Sequence, residues 1–237
     1  TLKNRFSSIP AMLAKLYDIL LQRYGPQGWW PLISLEGGNP TKTGSLKGYH
    51  PGDYSYPHTE SQRFEICVGA VLTQNTAWVN VEKALVALHG KGLLDVRSLL
   101  EADPDEVKAA IRPAGYYNQK AARLRLVASW FIGREGVPSR EELLGLKGIG
   151  PETADSILLY AFRKPWFVVD AYTRRVLEGL GAISGSESYE EVQALFHDAL
   201  EPDVEVYQEY HALLVEHAKR YYSKKPYGEC DDVPSLL

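Results

Sequence analysis

Sulfur is nearly absent from this chain, whose 237 residues include two cysteines and one methionine. Cys67 and Cys230 are too few for a disulfide framework or a four-cysteine metal site, and a reducing cytoplasm is the expected setting. Long apolar runs are missing too. No stretch approaches the roughly 18 residues of a membrane helix, and the opening Thr1-Leu2-Lys3-Asn4-Arg5 lacks the apolar region of a signal peptide, so no membrane partner is expected. The six histidines (His50, His58, His89, His197, His211, His217) show neither H-x-x-x-H nor H-E-x-x-H spacing, and no transition metal is expected. Nor is positive charge in excess. The net charge is −4, which taken alone argues against a nucleic-acid partner.

What is present is helical periodicity. Apolar positions at Ile9, Met12, Leu13, Leu16, Ile19, Leu20 and Leu21 mark an amphipathic helix over 6–24. Gln27-Gly28-Trp29-Trp30-Pro31 follows as a loop, since Pro31 forbids helix continuation. Residues 36–60 have no sustained period and read as a long loop with room for a short hairpin. From Gln62 onward the pattern is helical almost throughout: 64–72, 78–88, 95–101, a helix opened by Asp103-Pro104, one capped by Asn118 and reaching Phe131, 140–144 behind Ser139, then 172–180, 190–200 and 205–222. A polar tail with turn signals closes the chain. The expectation is an all-α fold of two helical domains, with the active site in the cleft between them. Residues 62–164 would form a six-helix bundle, and 1–61 would pack with 165–237 as the second domain.

The basic residues are clustered despite the acidic total. Arg112, Lys120, Arg123 and Arg125 form one group, Lys147, Arg163, Lys164, Arg174 and Arg175 a second, and Lys219, Arg220, Lys224 and Lys225 a third. Each reads equally as a solvated helix face or a phosphate-facing patch. The second group surrounds the most informative stretch, Leu146-Lys147-Gly148-Ile149-Gly150-Pro151. Gly148 and Gly150 allow a tight hairpin between two helices, and Pro151 suits the first position of the second helix. Backbone N–H groups at such a hairpin are a ready anion site. Twenty residues beyond Gly150, the apolar run 166–169 delivers one carboxylate, Asp170, which reads either as a helix N-cap or as an acid presented to a substrate.

These residues resemble the endonuclease III-like helix-hairpin-helix DNA glycosylases. The resemblance covers 64 to about 225, and its anchors are the run from Phe64-Glu65 to Leu72-Thr73-Gln74-Asn75, Gly115-Tyr116-Tyr117-Asn118-Gln119-Lys120-Ala121, the hairpin itself, and Val168-Val169-Asp170. It implies a double-stranded DNA partner and a flipped-out nucleotide. Gly148 and Gly150 would grip a phosphate, directly or through a monovalent cation (K+ or Na+) at 146–150, with Lys147, Arg174, Arg175 and Lys225 adding charge. Asn75 would fill the vacated space, Tyr116 would wedge beside the orphaned base, and Asp170 would be the catalytic acid. Members that also cut the strand carry a Schiff-base lysine where this chain has Glu152, and a glutamate cannot be that nucleophile. The first position of the family's [4Fe–4S] cysteine set is Ser223, so no cluster and no other cofactor is expected.

Glu152, the missing cluster and Trp29, Trp30 and Trp78 resemble the cluster-less 3-methyladenine DNA glycosylase subgroup. That subgroup implies aromatic walls around the base, with Glu152 beside them, and a carbamylated lysine at the position of Lys219. The expected function is therefore a monofunctional, monomeric N-glycosylase for alkylated purines. Two alternatives stay open: a glycosylase for an oxidised or deaminated base, and a non-catalytic damage-binding module.

Overall fold

The computed structural model describes residues 8–42 and 47–237. Among them the regular elements are helices, and the only extended pairing is an isolated antiparallel bridge between Gly38 and Lys47. The chain runs through α1 (Ile9–Tyr24), α2 (Glu60–Leu72), α3 (Trp78–Gly90), α4 (Val96–Glu101), α5 (Pro104–Ile111), α6 (Tyr117–Phe131), α7 (Arg140–Leu144) and α8 (Pro151–Ser156). It continues through α9 (Ala171–Gly179), α10 (Tyr189–Ala199), α11 (Val204–Tyr221) and α12 (Val233–Leu236). The first seven residues of the chain and positions 43–46 lie outside the described residues, so the start of the 6–24 helix and the tip of the expected hairpin are outside them too.

Helix pairing sorts the molecule into two groups. Helices α2 to α8 pack among themselves, whereas α1 packs on α10, α11 and α12, and α11 packs on α9. Helix α2 is the spine of the first group: nine consecutive residues from Phe64 to Leu72 are buried, as a strongly apolar run with no polar face demands. Helix α11 has the same role in the second, buried from Tyr207 to Ala218.

Start signals are satisfied where the sequence carries them. Asp103 caps α5 with Pro104 at its first position, and Ser188 and Glu191 close a reciprocal capping box on α10. Ser139 accepts from the amide of Glu142 at the start of α7. One cap differs from expectation: α6 begins at Tyr117, and Tyr116 precedes it in the left-handed region with no side-chain cap. Asn118 lies inside the helix, because Gly115 (φ 70) and Tyr116 (φ 47) turn the chain sharply enough to start it earlier. The tail also contains a short helix, α12, which its polar composition concealed.

Candidate active site

Asp170 reaches its position by an unusual route. Helix α8 widens into a π turn over Ile157–Ala161, and the chain then runs extended from Pro165 to Val169. Wide turns of this kind recur at functional sites because they displace the chain from the helical path. An extended segment without a sheet must satisfy its backbone elsewhere, and α10 supplies the partners. The Phe167 amide donates to His197 Nε2 (3.2 Å), the Phe167 carbonyl accepts from Gln193 Nε2 (2.6 Å), and the Val169 amide donates to the Tyr189 hydroxyl (3.3 Å). Gln193 also donates to Asp155 Oδ2 (2.8 Å), which Arg140 holds by two bonds of 2.7 and 3.0 Å. A buried ionic network thus fixes the approach to Asp170.

Asp170 is an N-cap that keeps part of its side chain open to solvent. Its Oδ1 accepts from the Thr173 amide at 2.7 Å, starting α9. Its side chain stays 17% exposed, enough to meet a bound molecule. Burial pushes its pKa up, but the imidazole of His211 and the Thr173 amide together outweigh that, so the carboxyl sits below its ordinary range. Glu152 behaves in the opposite way. The protein crowding around it, then the charge of Asp170, push its pKa up to about 7. Its side chain is nevertheless exposed, so water tempers the shift.

Trp29, Trp30 and Trp78 form one cluster rather than three separate walls. Ring centroids lie 5.5 Å (Trp29–Trp30), 4.8 Å (Trp29–Trp78) and 5.3 Å (Trp30–Trp78) apart, all edge to face, the geometry that ring quadrupoles favour. Trp30 is core, 4% exposed, while Trp29 and Trp78 are half-buried. The rings touch, so a base would meet an outer face of the cluster rather than a slot within it. Trp30 in turn packs on Tyr160 at 5.2 Å, and the Tyr160 hydroxyl lies 2.8 Å from His211 Nδ1. The aromatic cluster and Asp170 therefore share a neighbour. The loop is held on either side of Trp29-Trp30-Pro31: the Gln27 amide donates to Glu209 Oε1 and the Ile33 amide to Glu65 Oε1, each at 2.7 Å.

The DNA-facing residues expected from sequence converge. Gln74 Nε2 donates to the Gly148 carbonyl and to Thr153 Oγ1, both at 3.0 Å, and Arg123 donates to Gln74 Oε1 at 2.5 Å. This seats the Asn75 turn against the hairpin. Lys120 Nζ, buried, donates to the Leu72 and Ala114 carbonyls at 2.8 Å each, tying the Asn75 turn to the Tyr116 turn. Burial lowers the Lys120 pKa to about 8. Asn75 and Tyr116 are exposed, both at positive φ, and Tyr116 is 65% exposed despite its ring. Gly148 (φ +86) must be glycine, since a Cβ would strike the Arg123 side chain. Lys147, Gly148 and Gly150 are exposed at the tip. Of the hairpin carbonyls, that of Leu146 accepts from the Ile149 amide at 3.0 Å.

The other expected cations are more committed. Arg174 donates to the Glu187 carbonyl (2.7 Å) and Arg175 to the Tyr222 carbonyl (3.3 Å), with the Arg175 guanidinium also over the Tyr172 and Tyr227 rings. Lys225 is exposed above Tyr227. Lys219 is half-buried; burial lowers its pKa while Glu216 and Asp170 pull it up. Cys67 is buried in α2 and Cys230 is exposed in the tail, so the donor set does not fit a four-thiolate cluster. No group of His, Cys, Asp and Glu among the described residues could hold a metal. Instead the tail is anchored by polar bonds: Asp231 Oδ2 accepts from Tyr222 (2.8 Å) and faces His217 Nε2 (3.1 Å), and His217 Nδ1 meets Tyr24 (2.9 Å).

Sequence reasoning gave no site role to Glu65, Glu209, Gln193, Tyr189 or His211. A carboxylate inside an apolar run, as in Phe64-Glu65-Ile66, was the one available signal.

A glycine hairpin between α7 and α8, seated against the Asn75 turn and followed by an acid that caps α9, is a helix-hairpin-helix arrangement. Residues 68–202 match the HhH-GPD superfamily of base excision DNA repair proteins. The chain belongs to that superfamily and is one of its DNA repair glycosylases. A Methanocaldococcus jannaschii protein provisionally named DNA repair glycosylase MJ1434 is 40% identical over 98% of this chain and 96% of its own length. Endonuclease III of Thermotoga maritima is 34% identical over 58% of this chain and 66% of its own. Among solved structures, H. pylori 3-methyladenine DNA glycosylase (MagIII) bound to 1,N6-ethenoadenine is 27% identical, with a TM-score of 0.65 over 90% of this chain and 98% of that one. An endonuclease III–DNA complex shares the fold at 19% identity and a TM-score of 0.70, over 96% of this chain and 94% of that one.

Proposed function

We propose that the protein is a monofunctional DNA N-glycosylase that flips out alkylated purines of the 3-methyladenine type and hydrolyses their glycosidic bond. The observation that carries this reading is the pair of unlike carboxylates, Asp170 with its pKa lowered and Glu152 with its pKa raised, with no amine nucleophile at position 152. Asp170 is the catalytic residue. As an anion it stabilises the oxocarbenium-like sugar and orients water toward C1′. Alkylation at N3 or N7 makes the base a cation whose bond is already weakened, so little acid assistance is needed. A cationic base beside Glu152 would favour that residue's carboxylate. An outer face of Trp29 or Trp78 adds ~0.5–2 kcal/mol per cation–π contact over a neutral base, on the order of two- to thirtyfold each.

Gly148, Gly150 and Lys147 grip the backbone of the duplex, with Arg174, Arg175 and Lys225 at its margin. Asn75 fills the gap left by the base, and Tyr116 wedges beside its former partner. The protein acts as a monomer and needs no cofactor. Lys219 is a candidate for carbamylation, because burial raises the share of free amine that can react with CO2; a mass increase of one CO2, retained at high bicarbonate and lost in Lys219→Arg, is the readout.

Release of free bases from methylated, uracil-containing and oxidised duplexes tests the reading. Wild-type protein should liberate methylated purines, and Asp170→Asn should abolish release while duplex affinity survives. Release of only a uracil or oxidised base overturns the substrate class, and binding without any release overturns the enzyme.

A further inference from the structure

His211 has no assigned role, and its surroundings are specific. It is 7% exposed on α11. Its Nδ1 lies 2.8 Å from the Tyr160 hydroxyl, while its Nε2 is buried with no hydrogen-bond partner and stands 3.8 Å from Asp170 Oδ2. A buried orphan nitrogen carries a cost unless it is used. The tautomer follows from the two neighbours. A lone pair on Nε2 would face a carboxylate oxygen, whereas an N–H there faces an acceptor. Tyr160, whose hydroxyl also lies 3.2 Å from the Gln208 carbonyl, can then donate its one proton to the nearer Nδ1, which leaves both ring nitrogens with a complementary neighbour.

We propose that His211 is the positioning residue for Asp170, presenting Nε2–H to Oδ2 and closing to a hydrogen bond when a nucleotide fills the cleft. This inference rests on the reading of Asp170 as the catalytic residue. It assigns one donor to each carboxylate oxygen, the Thr173 amide to Oδ1 and His211 to Oδ2, so the group is fixed in rotation. A carboxylate so held serves as a stationary negative charge opposite the sugar better than as a proton acceptor. Trp30 packs on Tyr160, so the aromatic cluster sets the same chain of contacts from its other end. The remaining groups around Asp170 are Glu152 on α8, whose charge opposes its ionisation, and Lys219 on α11, whose charge favours it.

The experiment pairs His211→Leu, which removes the donor, with His211→Gln, whose amide nitrogen can occupy the Nε2 position. The primary readout is the titration of the Asp170 carboxyl carbon by 13C NMR in the whole protein, which needs no activity. His211→Leu should move that titration upward by about one pH unit, and His211→Gln should return it toward wild type. Single-turnover base release from methylated duplex is the second readout. His211→Leu should fall on the order of tenfold to a hundredfold, with its acid limb shifted upward and duplex affinity within about twofold. An Asp170 titration unchanged in His211→Leu overturns the proposal, as does an equal loss of rate in both variants with no shift of the limb. If wild-type protein releases no base at all, the glycosylase reading fails alone, and the NMR titration still decides the role of His211.

Discussion

Two segments carry most of the candidate site residues, and they are built on different logics. The stretch 143–170 is made from local chemistry: a glycine hairpin, a proline at the start of a helix, and an acid at the start of the next. The stretch 25–59 is made from distant contacts. Its Gln27 amide ends on Glu209, 182 residues away, and the Tyr54 hydroxyl ends on the other oxygen of the same carboxylate at 2.7 Å. Its turns close through Leu32 on Gly48, Tyr49 on Gly37 and His50 on Gly28 at 3.0–3.2 Å, with Gly28 and Gly37 placed where a Cβ would overlap the facing backbone. One segment carries the glycine hairpin and Asp170, the other Trp29 and Trp30, which meet Trp78 of α3. The difference teaches that the hairpin turn and the Asp170 cap are encoded locally, whereas the approach to Asp170 and the aromatic rings are positioned by distant elements.

The contrast can be broken hardest at Asp155. Arg140 and Gln193 both depend on this fully buried carboxylate, so Asp155→Ala leaves the half-buried Arg140 guanidinium with only a 3.6 Å ionic contact to Glu190 and should cost ~3 kcal/mol. Chemical denaturation should show that loss, and base release should fall because the Asp170 approach loses Gln193. Next in size is the loop latch at Glu65. Burial pushes its carboxyl up to about 7 from an ordinary 4.5, opposed by the Ile33 amide. A raised acid contributes stability that is complete below pH 4.5 and lost as pH rises through 7, up to ~3 kcal/mol. The wild type minus Glu65→Gln stability difference should therefore drop across that window and flatten above it; a difference independent of pH would contradict the buried latch.

Smaller effects belong to the hairpin side. Gly148→Ala forces a side chain into a left-handed φ and against Arg123; it should cost ~1–3 kcal/mol and weaken duplex binding more than it slows release from bound DNA, as fluorescence anisotropy beside single-turnover rates would show. Ser139→Ala removes only the α7 cap, about 1 kcal/mol. A shift in melting temperature should appear without change in the Asp170-dependent step.

The same contrast explains what could be read from the chain. Helix order, most caps, the hairpin and Asp170 were legible because each rests on residues within a few positions of one another. The Asn118 cap failed since Gly115 and Tyr116 start α6 by backbone conformation, which a capping pattern does not register. The seating of the Asn75 turn on the hairpin and its tie to α6 depend on Gln74, Lys120 and Arg123, whose bonds to Thr153, Leu72 and Gln74 span 48 to 79 positions. Glu209 and His211 sit two positions apart in a helix that reads as ordinary amphipathic sequence. Their roles come entirely from what the fold brings against them. Trp30 shows the same limit: its ring is core and cleft neighbour at once, and only packing tells how its edges meet Trp29 and Trp78.

The most direct test of the central claim follows base and strand together on one end-labelled duplex carrying methylated purines. Wild-type protein is expected to release free base and leave an abasic strand that breaks only on alkaline treatment, with no borohydride-trapped covalent complex. Strand cleavage at neutral pH with a trapped complex would contradict the assignment of Glu152 and the account of the site built on it.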